Sequence, residues 1–351
     1  MYLNTMLGFQ CPIHVPNVDI NSNFASSDVK HLYTCSWLPI CREMDVPDRK
    51  VYNIDLIDSS ICVVRLTDGS YSVFNDRCPH RGAKLSGGTF DDKNCIQCPY
   101  HGMKFDCKTS RVTEFLETDD VKNVKGSMTT YKNRVYDNLV WAYMGDPELE
   151  PKFHADELKI VSNGDTLDFV SNYGHCDIEC GLFDVEENLL DNIHISYVHS
   201  FGNRMNPNPI DTIKYPNDRG NHFFYKFGDK SFANLMDVSG ELLSVYNSFR
   251  EPCSAMSRVS FGESLVKTVR VHLLPLGEHK TRVFWGIHRN FLTAYVLDQV
   301  FEYFMLQTLT EDKAILENLY NPGVPVKQIL TEHDWLIVQY RKRMAAHMGT
   351  K

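Results

Sequence analysis

The 351-residue sequence has no run of about 18 apolar residues, which excludes an ordinary membrane-spanning helix. It has no Gly-x-Gly-x-x-Gly ahead of a helix, so a nicotinamide or flavin fingerprint is missing. It is short of positive charge: 36 Lys and Arg face 45 Asp and Glu, for a formal net charge of -9. That balance argues against nucleic acid and anionic membrane surfaces as main partners. Residues 1–30 lack the basic start and apolar middle of an export signal, and are expected to form an extension packed on the surface. The expected location is cytoplasmic. Eleven cysteines are plentiful, but without an export signal they read as reduced thiols rather than a disulfide framework.

What is present is concentrated in two short stretches, Cys78-Pro-His80 and Cys98-Pro-Tyr-His101, separated by 17 residues. Each supplies one thiolate and one imidazole. That pairing suits a [2Fe–2S] cluster with sulfur on one iron and nitrogen on the other. Neutral imidazoles remove negative charge from such a cluster and make it easier to reduce, so the chain is expected to handle electrons singly. Tetrahedral zinc also takes two Cys and two His. Zinc fingers, however, keep the cysteines together and the histidines together, whereas here each loop carries one of each.

From Cys35 to Met144 the pattern is short strands. Runs at 61–66 and 71–74 flank Thr67-Asp68-Gly69-Ser70, and a closing hairpin is expected around Asp137-Asn138. Gly145-Asp146-Pro147 and the acidic stretch after it end this pattern. The expected organisation is an extension at 1–30, an all-β unit at 31–147 and an α+β unit at 148–351. In the last, strands are expected at 223–227, 265–274 and 281–289, and helices at about 185–198, 292–319 and 332–348. A sheet curling around the long helix follows from that order. Cys95, Cys107, Cys176 and Cys180 read as packing residues.

A second metal site is suggested by Asn188, Asp191, His194 and His199. Asp191 and His194 share a face of a helix. His199, five residues beyond His194, reaches the same ion only if the helix ends or bulges first. Two ordinary histidines, one packed and one capping, are the competing reading. A carboxylate completing a two-histidine, one-carboxylate face is expected from the long helix. Phe301, Met305, Thr308, Asp312, Leu316 and Leu319 form its mostly apolar stripe, and an aspartate there needs a partner or a metal. Asp312 is therefore chosen over Glu311; a salt bridge to Lys or Arg is the alternative.

Both halves resemble one family, the Rieske non-haem iron oxygenases. Arg81-Gly82 and Gly102 after the two histidines are similar to its loops, and residues 188–199 and 311–317 are similar to its iron-binding segments. Ala83 and Tyr100 stand where respiratory Rieske proteins carry an extra cysteine pair, which points to the oxygenase and ferredoxin branch. Met103 replaces the tryptophan usual in oxygenases. Val266-Lys267-Thr268 and Arg289-Asn290-Phe291 resemble the monooxygenase and demethylase branch, which includes pheophorbide a oxygenase and vanillate demethylase. The paired cysteines that plastid members of the pheophorbide group carry near the C-terminus are missing.

The resemblance implies an all-β Rieske [2Fe–2S] domain joined to a helix-grip (Bet v 1/START-like) domain, an α+β architecture, and a homotrimer. It implies that Cys78, His80, Cys98 and His101 hold the cluster and that His194, His199 and Asp312 hold a mononuclear Fe(II). It further implies that Asp191 bridges a ligand histidine to a Rieske histidine of a neighbouring subunit. O2 is the implied co-substrate, with NAD(P)H electrons arriving through a ferredoxin or flavin reductase. Hydroxylation, O- or N-demethylation, desaturation and ring dihydroxylation all stay open, on a bulky and largely apolar substrate. Two rivals are an electron carrier that has lost the second iron and a helix-grip binding protein without turnover.

Overall fold

The computed structural model describes residues 22–115, 126–159, 169–217, 219–225, 243–261, 264–320 and 323–349. Two compact units result, one from Tyr33–Pro151 and one combining Met1–Leu32 with Lys152–Lys351.

The first unit is all-β. Strands β1 (Trp37–Arg42), β2 (Tyr52–Asp55), β3 (Ser60–Arg65), β4 (Tyr71–Asn75), β9 (Thr130–Tyr136) and β10 (Leu139–Tyr143) form one sheet in the order β1-β10-β9-β4-β3-β2. Strands β5 (Thr89–Phe90), β6 (Cys95–Gln97), β7 (Lys104–Asp106) and β8 (Val112–Glu114) form a second in chain order. The β9–β10 turn has Asp137 and Asn138 at φ 56° and 58°. Two successive left-handed residues give the turn whose twist suits a two-residue hairpin, and Asp and Asn tolerate that backbone best after glycine. Cys62, Val64, Phe74, Leu85, Ile96 and Phe105 are fully buried or nearly so, in a core directly beneath the two cysteine-bearing loops.

The second unit is α+β. Strands β11 (Val170–Ile178), β12 (Asp211–Tyr215), β13 (Gly220–Tyr225), β14 (Leu243–Arg250), β15 (Ser254–Phe261), β16 (Leu265–Gly277) and β17 (Lys280–Arg289) make an antiparallel sheet ordered β11-β17-β16-β15-β14-β13-β12. Helices α1 (Leu182–Leu190), α2 (His194–Val198), α3 (Asp298–Leu316) and α4 (Trp335–His347) complete it. α3 is anchored on β11 by Lys313 Nζ donating to Asp177 O at 3.0 Å.

Several expected elements differ in extent. The single helix expected at 185–198 is two helices, because Asp191 leaves the helical backbone at φ -75°, ψ 121°. The strand expected at 223–227 begins at Gly220, and 226–227 lie outside the described residues. β16 continues through Pro275 to Gly277 with a register shift, so those residues extend the hairpin instead of separating it. The long helix starts at Asp298, not 292, since Leu292 sits at φ 48°. α4 starts later than expected, after a 3-10 turn at Glu332–Asp334 where Thr331 Oγ1 accepts from His333 N.

The expected surface arm is also corrected for its described part. Phe24, Val29 and Leu32 are buried, Phe24 packs on Phe183 at 4.8 Å between ring centroids, and Asn23 Nδ2 donates to Asp184 Oδ1 at 3.2 Å. This segment builds core, since Phe24, Val29 and Leu32 leave water for the packed interior.

Candidate metal centres and substrate cavity

The two cysteine-bearing loops share one backbone scheme. Cys78 N donates to Ala83 O and Gly82 N to Cys78 O, both at 2.8 Å. Cys98 N donates to Met103 O at 2.8 Å and Gly102 N to Cys98 O at 3.1 Å. Gly82 and Gly102 close these loops at φ 75° and 70°, a backbone that a side chain would strain. Cys78 and Cys98 are buried at the base, and the rings of His80 and His101 stand 4.7 Å apart at the exposed rim. Burial pushes the Cys78 thiol up, and the facing Cys98 adds to the shift. A bound cation reverses that preference and draws off the proton. Below the first loop, Asp76 accepts from Ser86 N at 2.6 Å and from Asn53 Nδ2 at 3.0 Å, pinning the segment leading into Cys78.

In the second unit the helix break creates the other candidate centre. Asp191 Oδ1 accepts from Ile193 N at 2.8 Å and His194 N at 3.3 Å, an Asx-type turn that restarts the chain as α2. Asp191 O lies 2.8 Å from His194 Nδ1 and fixes that ring. The carboxylate thus serves the backbone, and the carbonyl serves the imidazole. α2 ends at Val198, and His199 leaves it in extended backbone (ψ 141°). The two rings then converge, with their Nε2 atoms 3.2 Å apart. Asp312 Oδ1, from α3, is 3.4 Å from His194 Nε2 and 3.5 Å from His199 Nε2.

These three atoms form a nearly equilateral triangle, and a point about 2 Å from each corner is a metal–ligand bond length away. His199 and Asp312 are 5% and 4% exposed, so the centre is closed on the protein side. Asp312 Oδ1 is buried without a hydrogen-bond partner among the described residues. An orphaned carboxylate oxygen between two imidazole nitrogens fits a cation, and two His with one carboxylate is the donor set of non-haem iron(II). Burial pulls the His194 pKa down, but nearby Asp312 and Asp191 outweigh it and leave it raised. For His199 burial prevails, and its pKa is lowered.

Residues not singled out from the sequence surround this centre. Glu311 Oε2 takes the other nitrogen of His199, Nδ1, at 3.1 Å, and its carboxylate also accepts from Ser200 N at 3.3 Å. Gln307 Nε2, one turn earlier, donates to Ser200 Oγ and Glu311 Oε1. Phe201 stacks on His199 at 5.0 Å. Glu311 lies outside the apolar stripe of α3, and the signals for it were its place beside Asp312 and the likeness of residues 311–317 to the family's iron-binding segment. Asn188 is on the last turn of α1 and lines the same cavity as His194.

That cavity, of about 840 Å³, lies between α3 and the sheet face bearing Val245, Val259, Val269 and Ile287. Its volume suits a drug-sized organic molecule. One wall is the triad, and aromatic side chains from α3 and the β17–α3 segment, Phe291, Phe301 and Phe304, supply others.

Residues 36–125 match the Rieske [2Fe-2S] domain, and residues 178–348 match the vanillate O-demethylase oxygenase C-terminal domain. The chain belongs to the Rieske non-haem iron oxygenases. Among curated proteins, this Rieske oxygenase chain is 24% identical to methylxanthine N1-demethylase NdmA of Pseudomonas putida, over 87% of this chain and 86% of that one. It is 22% identical to cholesterol 7-desaturase of Caenorhabditis elegans over 49% of this chain, and the match spans 40% of that relative's length. The fold is that of Pseudomonas putida CBB5 NdmA with caffeine, at TM-score 0.72 and 21% identity over 90% of each chain.

Proposed function

We propose that this Rieske oxygenase chain inserts oxygen from O2 into a bulky, largely apolar organic substrate, by hydroxylation or by a hydroxylation that ends in demethylation. The observation that carries this reading is the buried triangle of His194, His199 and Asp312 opening onto an organic-sized cavity, in a chain that also carries a Rieske domain. In this reading Cys78, His80, Cys98 and His101 hold the [2Fe–2S] cluster, and His194, His199 and Asp312 hold Fe(II). The cluster supplies single electrons and the iron supplies O2 activation.

The protein's own part is positional. Asp191 O and Glu311 hold the outer nitrogens of the two imidazoles, so both inner nitrogens face one point. The apolar walls exclude water and press the substrate against the open side of the triad. Asn188, which lines the cavity, is an amide able to position a polar substrate group.

Hydroxylation balances as RH + O2 + NAD(P)H + H+ giving ROH + H2O + NAD(P)+. With no nucleotide fingerprint in the sequence, the electrons come through a separate ferredoxin or flavin reductase. The homotrimer, and an Asp191 link between a ligand histidine and the Rieske histidine of a neighbouring subunit, belong to the same proposal by family likeness. So do the Rieske and catalytic spans, 31–147 and 148–351.

The test is a count of iron and acid-labile sulfide after anaerobic reconstitution, followed by labelled O2 incorporation with a surrogate reductase. Three irons to two sulfides, with label in the product, is the expected result. Two irons to two sulfides despite excess iron(II) would assign the chain to electron carriage alone.

A further inference from the structure

Lys267 is the one lysine or arginine among the described residues lining the cavity. It alternates along β16 with Val269 and Val271, which line the same cavity, and so shares their face of the sheet. Its register partners are Val259 on β15 and Arg289 on β17. The two neighbouring cations differ in kind. Arg289 is fully buried and committed: it donates to Asn172 Oδ1 at 2.6 Å, pairs with Asp298 and lies over the Phe301 ring at 4.1 Å. The Lys267 side chain has no hydrogen bond or ion pair with any described residue. An amine held among apolar walls without a counter-charge is destabilising, and a protein keeps one where a ligand brings the missing charge.

Position narrows the ligand. Arg289, beside Lys267, stacks on Phe301, while the triad takes Asp312 from the other end of the same helix. Eleven residues of helix separate the two, about 16 Å at 1.5 Å per residue. A molecule that touches both ends spans most of that distance, on the order of 10–16 Å, and is charged at one end and apolar along its body.

We propose that Lys267 is the anion-recognising residue of this cavity, and that the substrate class is an elongated, apolar organic carboxylate. The carboxylate sits on Lys267 and the carbon to be oxidised lies at the triad; this rests on the oxygenase reading above. Loss of hydration holds the Lys267 pKa down in the free protein. An incoming carboxylate reverses that, so binding takes up protons at alkaline pH.

The experiment is equilibrium calorimetry on reconstituted full-length protein without O2 or reductase, using biphenyl-4-carboxylate and dodecanoate, each against its neutral methyl ester. The expected result is an acid bound at least tenfold tighter than its ester, with proton uptake seen as a dependence of the heat on buffer ionisation. Lys267→Met removes the preference and the proton uptake and keeps or raises the Tm, because an unpaired charge on the cavity wall is replaced by an apolar side chain. Lys267→Arg keeps the preference. Equal binding of acid and ester, a preference that survives Lys267→Met, or no binding of either class overturns the proposal. Because no turnover is measured, acid-selective binding stands even if oxygenation fails. Conversely, O2-dependent oxidation of neutral compounds alone sinks this inference and leaves the oxygenase reading intact.

Discussion

Glu311 and Asp312, adjacent on one helix, address opposite nitrogens of one ring: Glu311 Oε2 is 3.1 Å from His199 Nδ1, and Asp312 Oδ1 is 3.5 Å from His199 Nε2. One carboxylate therefore sets the ring's tautomer and direction while its neighbour stands where a cation belongs. The division of labour is that of an outer partner and a ligand.

Substitution separates the two roles. Asp312→Ala removes a corner of the triangle, and mononuclear iron is expected to be lost while the cluster is retained. Glu311→Gln still offers an oxygen to Nδ1 but no charge, and iron affinity is expected to fall roughly 10- to 100-fold. Iron titration with sulfide as the internal standard reads both variants. Unchanged affinity in Glu311→Gln removes the orienting role.

Asp191 carries two duties that different variants divide. Its Oδ1 accepts two backbone N–H groups, so Asp191→Ala is expected to cost about 1 kcal/mol, as lost caps do. Asp191→Asn retains an oxygen for those donors and is expected to keep the Tm and both metals. If the charge also couples the two centres, Asp191→Asn loses turnover with full iron and sulfide. Wild-type turnover in that variant would remove the coupling role.

The Rieske histidines are open to an electrochemical test. Replacing His101 by Cys adds a negatively charged ligand, and the reduction potential is expected to fall on the order of 100 mV or more. Spectroscopic redox titration of His101→Cys against wild type measures it. A potential that does not move would show that His101 is not a cluster ligand.

Sequence and structure divide the evidence unevenly. The Cys78 and Cys98 loops were legible because the donors, the prolines and the closing glycines lie within five residues of one another. His194 and His199 were ambiguous, since their meeting depends on a helix break that Asp191 makes by capturing the N–H groups of residues 193 and 194. Asp312 was visible as a charge on an apolar stripe, whereas Glu311 looked like a solvated neighbour because its partner is 112 residues away. Lys267 was hidden by its strand: Val266, Thr268 and Arg270 on the opposite face are the more buried set, so alternation did not say which face looks into the cavity.

Glu186 on α1 offers a stability measurement that needs neither centre loaded. It is 0% exposed, and both carboxylate oxygens lack hydrogen-bond partners among the described residues. Burial raises its pKa well above the ordinary carboxylate range. The folded protein holds this proton while the unfolded chain releases it, so the group's contribution is fully present below about pH 4.5 and declines as pH rises toward the folded pKa. Glu186→Gln, neutral throughout, is expected to flatten that decline and to stabilise the protein at pH 8 by on the order of 1 kcal/mol or more. Thermal denaturation of both proteins at pH 5 and pH 8 checks it; parallel shifts would mean that Glu186 is ionised in the fold.

The matched closures of the two cysteine loops bear on how one backbone frame serves two ligand spacings. Each is tied by main-chain bonds, from Cys N and to Cys O, that involve neither thiol nor imidazole. One main-chain frame therefore accepts an imidazole two places after its cysteine as readily as three, so the two halves differ in ligand spacing while sharing one loop geometry.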